Sequence, residues 1–129
     1  DLYTKELNTK SSELAQQIEI RETVDNILKF VESSAENGLV VEGRDMGSVV
    51  FPDATLKIYL DADENIRSTR RIEQSNNQET TDDIFERDRR DITRKNSPLV
   101  VPKGAITLKN NTSTVDELVD EVIKNLELQ

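Results

Sequence analysis

Three short apolar runs alternate with longer segments of helical periodicity, and this alternation leaves few folds open to the chain. The runs are residues 39–41, 56–60 and 105–108. Each is too short for a helix and long enough for a strand. Because the runs are mainly continuous rather than alternating, they are typical of strands buried on both faces of a parallel sheet. We therefore predict an α/β fold, with a parallel sheet flanked by helices.

The segment before the first run has the spacing of one long helix. Residues 11–34 carry apolar side chains every three or four positions, and Asn37-Gly38 should stop the helix. Arg21 falls on the apolar stripe, where a charged side chain is seldom buried without a partner. It either reaches past the edge of the core or points into a polar cavity.

Three further helices are predicted from capping signals. The first starts after Asp61, with Glu64 completing a capping box. The second runs from Asp82 to about Lys95 and ends before Ser97-Pro98. The third starts at Thr114, with Glu117 completing a second capping box. The apolar stripe of the last helix should pack on the core. The polar segment 74–80 is predicted to be a mobile loop.

Composition narrows the function. The chain lacks His and Cys, which excludes disulfides, Cys/His metal sites and histidine catalysis. Its net charge of −9 argues against binding of nucleic acid polymers. Seven of the nine arginines lie within residues 67–94, a cluster that suits a small anion, although a solvated helix surface with internal ion pairs would look the same. No stretch is apolar enough for a membrane span, so a soluble cytoplasmic protein is expected.

The tripeptide Gly43-Arg44-Asp45 follows the first predicted strand. Ligands of parallel α/β sheets bind beyond the carboxyl ends of the strands, so Arg44 and Asp45 could meet an anion and a hydrogen-bond donor together. A turn with a local ion pair is the alternative.

Two other arginine groups could bind phosphate. Arg87, Asp91 and Arg94 share one helix face and could hold a phosphate or a sugar. Arg67, Arg70 and Arg71 precede the polar loop and could close over phosphates. For both groups, exposed ion pairs on a solvated helix are the alternative.

Residues 41–54, VEGRDMGSVVFPDA, resemble the signature segment of bacterial cytidylate kinases. The similarity continues through Leu56–Ala62 (LKIYLDA), the Arg70-Arg71 pair, the R-D-x-x-D-x-x-R row from Arg87 to Arg94, and Ser97-Pro98-Leu99, and Ser12 and Arg21 keep the family spacing. It runs from about Thr9 to the C-terminus. The segment GRDMGSVVFPDA, residues 43–54, argues against a related UMP/CMP kinase or a shikimate-like kinase.

The resemblance implies a P-loop nucleoside monophosphate kinase that uses ATP with Mg²⁺ to phosphorylate CMP or dCMP. It implies that Ser12, Arg21 and Asp45 recognise cytosine, that Arg44 holds the CMP phosphate, and that Arg87, Asp91 and Arg94 contact the sugar and phosphate. Arg67, Arg70 and Arg71 would be the lid arginines over ATP. As one domain spanning 1–129, the chain would comprise a CMP-binding helix region at about 9–38, a core at 39–73 and 81–129, and a lid at about 67–86.

The chain departs from that family in two respects. The segment between Arg71 and Glu86 is shorter than usual, and no G-x-x-x-x-G-K-[ST] phosphate loop occurs in the 129 residues. Since the chain starts at Asp1, we expect a fragment that lacks the family's first, central strand and is inactive alone. The full-length enzyme would be a monomer, and no protein ligand for a metal is identifiable here. The alternative is a non-catalytic module that binds cytidine nucleotides or a protein.

Overall fold

The computed structural model describes residues 5–76 and 78–128, which form five helices and two strands. The helices are α1 (Lys5–Leu14), α2 (Ile18–Ser33), α3 (Glu64–Gln74), α4 (Thr81–Thr93) and α5 (Val115–Glu127). The strands are β1 (Ile58–Asp61) and β2 (Ile106–Lys109), and a π-helical turn spans Met46–Val50.

The two strands pair in parallel, as the apolar runs predicted. Ile58 lies opposite Ile106, and Leu60 lies opposite Leu108. The ladder is extended at its carboxyl end, where the Asn110 amide donates to the Asp61 carbonyl at 2.7 Å. Leu108 is 2% exposed. Helices connect and flank this pair, so the α/β class is confirmed.

The prediction of a strand at residues 39–41 is wrong. The segment has no regular structure, and Val40 is 99% exposed. A strand needs a neighbour that completes its ladder of hydrogen bonds, and none of the residues described pairs with this segment. The apolar composition of residues 39–41 favours a strand, but the described residues provide no neighbouring strand for it to pair with.

The prediction of a single helix over residues 11–34 is also wrong, because the helical structure is interrupted at residues 15–17. Ala15 and Gln16 form a turn, and Gln17 is extended with φ −79° and ψ 121°. Ser12 therefore belongs to α1, whereas Arg21 lies in the first turn of α2.

Of the two capping boxes predicted from the sequence, one is confirmed and one is wrong. The box of Thr114 and Glu117 is confirmed at the start of α5. The helix predicted from Asp82 to about Lys95 is confirmed as α4, which begins one residue earlier with a capping box of Thr80 and Asp83. The box expected from Asp61 and Glu64 is wrong, since Asp61 is the last residue of β1 and α3 has no side-chain cap.

The buried apolar core is small. Val50, Ile84 and Leu108 are the buried apolar side chains of the described residues. The stripe of α5 that was predicted to be core is only partly buried: Leu118 and Val122 are half-buried, whereas Val115 is 76% exposed and Ile123 48%. In the segment predicted to be a polar loop, Ser75 and Glu79 are buried, and Asn77 lies outside the described residues.

Candidate functional site

The turn after residue 43 presents a buried carboxylate. The Asp45 carbonyl accepts from the amides of Ser48, Val49 and Val50 at 2.9 to 3.3 Å, which fixes the start of the π-helical turn. Gly47 allows this turn to pack closely, since a Cβ there would lie 3.0 Å from Cγ of Pro102. The Asp45 side chain is only 3% exposed.

Asp45 meets Arg21 from α2. Nη2 of Arg21 donates to Oδ2 of Asp45, and the same nitrogen lies 3.6 Å from Oδ1 of Asp25. The Arg21 side chain is 13% exposed, so it points into a polar cluster rather than past the core edge. The Arg21 Nε is buried and has no partner among the described residues.

A second ion pair joins the turn to α4. Nε of Arg44 lies 3.0 Å from Oδ2 of Asp91, whose side chain is 5% exposed. Nη1 of Arg94 lies 3.8 Å from the other Asp91 oxygen, and Nε of Arg94 donates to the Ser97 carbonyl. Asp91 thus lies close to two arginines. Arg44 and Asp45, although adjacent in the sequence, form their ion pairs with distant residues and not with each other.

Asp88 links this cluster to α3. Oδ2 of Asp88 accepts from Nη1 of Arg67, and Oδ1 lies 4.0 Å from Nη2 of Arg44. One carboxylate therefore connects the arginine of the turn to the first arginine of α3.

The other two arginines of α3 diverge. Nε of Arg71 donates to Oε2 of Glu79 at 3.1 Å, close to Arg87. The Arg70 guanidinium donates to the carbonyls of Asn110 and Asn111 at 2.7 and 3.2 Å. Arg70 thus holds the loop after β2 and is not joined to the carboxylates that serve Arg44, Arg67 and Arg71.

Arg87 carries unused donors. Its Nε and Nη1 are buried and have no hydrogen-bond partner within the described part of the chain. Burial, followed by the positive charges of Arg71 and Arg44, lowers the pKa of Arg87 below its ordinary value. Burial likewise lowers the pKa of Arg94. A guanidinium in this position gains from any anion or oxygen acceptor that arrives.

On α1, two buried polar side chains share one face. Ser12 and Asn8 are each 7% exposed, and neither Oγ of Ser12 nor Nδ2 of Asn8 has a partner among the residues described. Sequence reasoning singled out Ser12 but missed Asn8, although the spacing of four residues places them on one face. It also missed Glu79, and it named Asp88 only within the R-D-x-x-D-x-x-R row, without a role, because no local signal identifies a distant partner.

A cavity of about 370 Å³ opens between α1 and α4. Its walls are contributed by Asn8, Thr9, Glu13, Glu79, Asp83, Glu86, Arg87 and Arg90. This volume lies within the usual range for small-molecule sites. Asn8 and Arg87 therefore line one space, although their unpaired nitrogens are themselves buried.

Within the described part of the chain, no group of three or more acidic side chains is arranged to hold a metal ion. No helix among residues 5–76 and 78–128 is both long and apolar enough to cross a bilayer.

Comparison with known proteins identifies the family. The cytidylate kinase family model matches residues 1–128. The chain belongs to the cytidylate kinase family. A probable cytidylate kinase of Vairimorpha ceranae is 39% identical over 94% of this chain and 57% of its own length. A cytidylate kinase of Streptomyces avermitilis is 34% identical over 98% of this chain and 56% of its own length. A cytidylate kinase of Thermodesulfovibrio yellowstonii is 37% identical over 91% of this chain and 57% of its own length.

Membership of the cytidylate kinase family implies a nucleoside monophosphate kinase fold of the P-loop class. The parallel β1–β2 pair with its flanking helices is consistent with that fold. The chain spans somewhat more than half the length of these cytidylate kinase relatives.

Proposed function

We propose that the protein acts as a kinase that transfers the γ-phosphoryl group of Mg²⁺–ATP to CMP or dCMP. In this reaction an oxygen of the 5′-phosphate attacks the γ-phosphorus, the bond from that phosphorus to the bridging oxygen breaks, and (d)CDP and ADP result. No protein nucleophile is required, because catalysis of phosphoryl transfer consists of positioning and charge stabilisation. The described residues would bind the monophosphate.

The observation that carries this proposal is the convergence of three guanidinium groups. Arg44 and Arg71 lie close enough to Arg87 to lower its pKa, and Arg87 keeps two unpaired nitrogens. Asp91 and Glu79 offset part of this repulsion, and an incoming anion would offset more of it. The 5′-phosphate of a nucleotide has the required charge and oxygens, and Arg87 can bridge it and the adjoining sugar.

The second cluster suits a cytosine ring. Asp45 accepts hydrogen bonds, so it can receive the exocyclic amine of cytosine but would repel the carbonyl oxygen that uracil carries there. Arg21 and Ser12 supply donors for the ring carbonyl and ring nitrogen. Support comes from the burial of all three and from the unpaired Nε of Arg21 and Oγ of Ser12.

The remaining predicted residues fit supporting roles in the same proposal. Asp91 lies near Arg87 and 3.8 Å from Arg94, and Asp91 and Arg94 can hold the sugar and its phosphate. Arg67 and Arg71 approach the site through Asp88 and Glu79, and with Arg70 they would neutralise charge that develops on the transferred group.

A calorimetric titration with CMP, UMP and AMP tests the monophosphate site. We expect CMP to bind more tightly than the other two. In Arg87→Ala, CMP affinity should fall by roughly 10- to 100-fold, as for a lost charge-assisted hydrogen bond. Arg89→Ala, which removes an exposed arginine two positions away on α4, is the matched control and should bind CMP normally. Equal affinity for the three nucleotides would contradict the proposed cytosine specificity.

The same material separates an enzyme from a non-catalytic module. CDP formed from CMP and Mg²⁺–ATP by the 129-residue chain would exclude the module. Selective CMP binding without CDP formation would fit the module and equally a kinase fragment that is inactive alone, so CDP formation is the deciding result.

A further inference from the structure

Asp25 on α2 is a charged side chain that the proposed function leaves without a role. The side chain is 22% exposed, and its Oδ1 atom is buried with no hydrogen-bond partner among the described residues. Because buried polar atoms in folded proteins almost always have a partner, an unpaired carboxylate oxygen requires an explanation.

The neighbour of this oxygen is Arg21. Asp25 lies one helical turn after Arg21, and Oδ1 of Asp25 is 3.6 Å from Nη2 of Arg21, which is beyond hydrogen-bond distance. The same nitrogen donates to Oδ2 of Asp45. One guanidinium nitrogen therefore lies near two carboxylates and is hydrogen-bonded to only one of them.

The proposed contact with cytosine would change this arrangement. Asp45 would accept the exocyclic amine of the base while it already accepts from Arg21. As the amine takes up part of the charge of Asp45, the attraction of this carboxylate for Arg21 weakens. Nη2 of Arg21 then needs to move by only about 0.7 Å to reach the usual hydrogen-bond distance of about 2.9 Å from Oδ1 of Asp25.

We propose that Asp25 is a positioning residue of the cytosine site, and that it takes over Arg21 from Asp45 when the base binds. Asp25 does not touch the nucleotide. It keeps the buried guanidinium paired, so Asp45 can accept the amine without leaving an uncompensated charge behind. This inference rests on the proposed function, because it requires Asp45 to contact cytosine.

Calorimetric titrations of the 129-residue chain with CMP and UMP test this role. In Asp25→Ala, CMP affinity should fall by roughly three- to tenfold, as for one lost hydrogen bond, because Arg21 then stays on Asp45. UMP affinity should not change, since uracil has no amine for Asp45 to accept. A purely structural defect would instead lower both affinities by the same factor.

Two further variants control the comparison. Asp25→Glu keeps a carboxylate one helical turn from Arg21, so it should retain the wild-type preference for CMP over UMP. Glu22→Ala removes an exposed carboxylate from the same helix and should also leave the preference unchanged. Alanine is a good helix former, and far-ultraviolet circular dichroism shows whether α2 is retained.

A measurement on the wild-type protein needs no variant. The side-chain carboxyl carbon of Asp25, followed by NMR, should shift when CMP is added, because Arg21 then hydrogen-bonds to this carboxylate. The shift should be absent with UMP.

The outcomes separate the two proposals. If wild-type protein prefers CMP and Asp25→Ala keeps that preference, the role of Asp25 is overturned and the proposed function stands. An equal loss of CMP and UMP affinity in Asp25→Ala would also overturn it, as would an Asp25 signal that does not respond to CMP or an Asp25→Glu variant that loses as much preference as Asp25→Ala. Wild-type protein that binds no CMP would overturn both proposals.

Discussion

At the scale of single residues, charged side chains are paired across long sequence separations. Arg21 pairs with Asp45, Arg44 with Asp91, and Arg67 with Asp88. The sequence identified all of these arginines and aspartates by motif and by resemblance, although Asp88 was named without a role. It could not assign the pairs, since a pairing depends on how α2, α4 and the turn after residue 43 meet in space.

The pairing of Asp45 with Arg21 leads to a stability prediction. Because both side chains are largely buried, Asp45→Ala should leave Arg21 with only its 3.6 Å contact to Asp25 and reduce the free energy of unfolding by up to about 3 kcal/mol. The double variant Arg21→Met with Asp45→Leu should recover much of that loss, since neither charge remains. Urea unfolding followed by circular dichroism measures both.

An exposed ion pair on α1 provides the control. Lys10 and Glu6 lie 2.6 Å apart with side chains 62% and 75% exposed. Glu6→Ala should change the free energy of unfolding by less than about 0.5 kcal/mol. A similar effect for Asp45→Ala would show that the buried pair is no more important than a surface one.

At the scale of elements, short-range signals were predictable and long-range ones were not. The capping box of Thr114 and Glu117 depends on four consecutive residues, so its pattern suffices. The break at residues 15–17 interrupts an apolar periodicity that continues on both sides. Residues 39–41 have the composition of a strand, but pairing depends on a neighbour that local composition does not specify.

The cap of α5 predicts a pH dependence. Hydrogen bonds from the backbone and then the hydroxyl of Thr114 hold the pKa of Glu117 below its ordinary value. Glu117 therefore stabilises the helix start fully above the pKa of the unfolded chain, and this contribution is lost as pH falls through the lowered pKa of the folded state. The amide proton shift of Thr114, followed by NMR from neutral to acid pH, should report the loss.

Removal of the hydroxyl donor checks the cause. In Thr114→Ala the titration midpoint of Glu117 should move up towards its usual value of about 4.3. An identical midpoint in the variant would mean that the side chain of Thr114 does not contribute to the shift.

At the scale of the whole molecule, apolar surface outweighs apolar core. The accessible surface is 9406 Å², against about 6,900 Å² for a folded monomer of this size. Phe30 is 72% exposed, and Val40, Leu60 and Val115 also face outwards. The residues that the sequence predicted to be core are apolar for good reason, but burial depends on what lies against them.

We expect the isolated 129-residue chain to show the effects of this surface. It should increase the fluorescence of the dye ANS, which binds exposed apolar patches, and its thermal unfolding should be broad. Val40→Ser and Phe30→Ser should lower the dye signal without destabilising the chain by more than about 0.5 kcal/mol, because these side chains contribute little to the core. A sharp unfolding transition with no dye binding would contradict this expectation.

The shared carboxylates of Asp88 and Asp91 have one further consequence. An incoming phosphate that reaches Arg44 meets a guanidinium that already has counter-ions, so binding there is an exchange of one anion for another. The number of close charge pairs then changes little at Arg44, and only Arg87 gains a new one. Nucleotide affinity at this site should therefore depend less on ionic strength than the number of its arginines suggests.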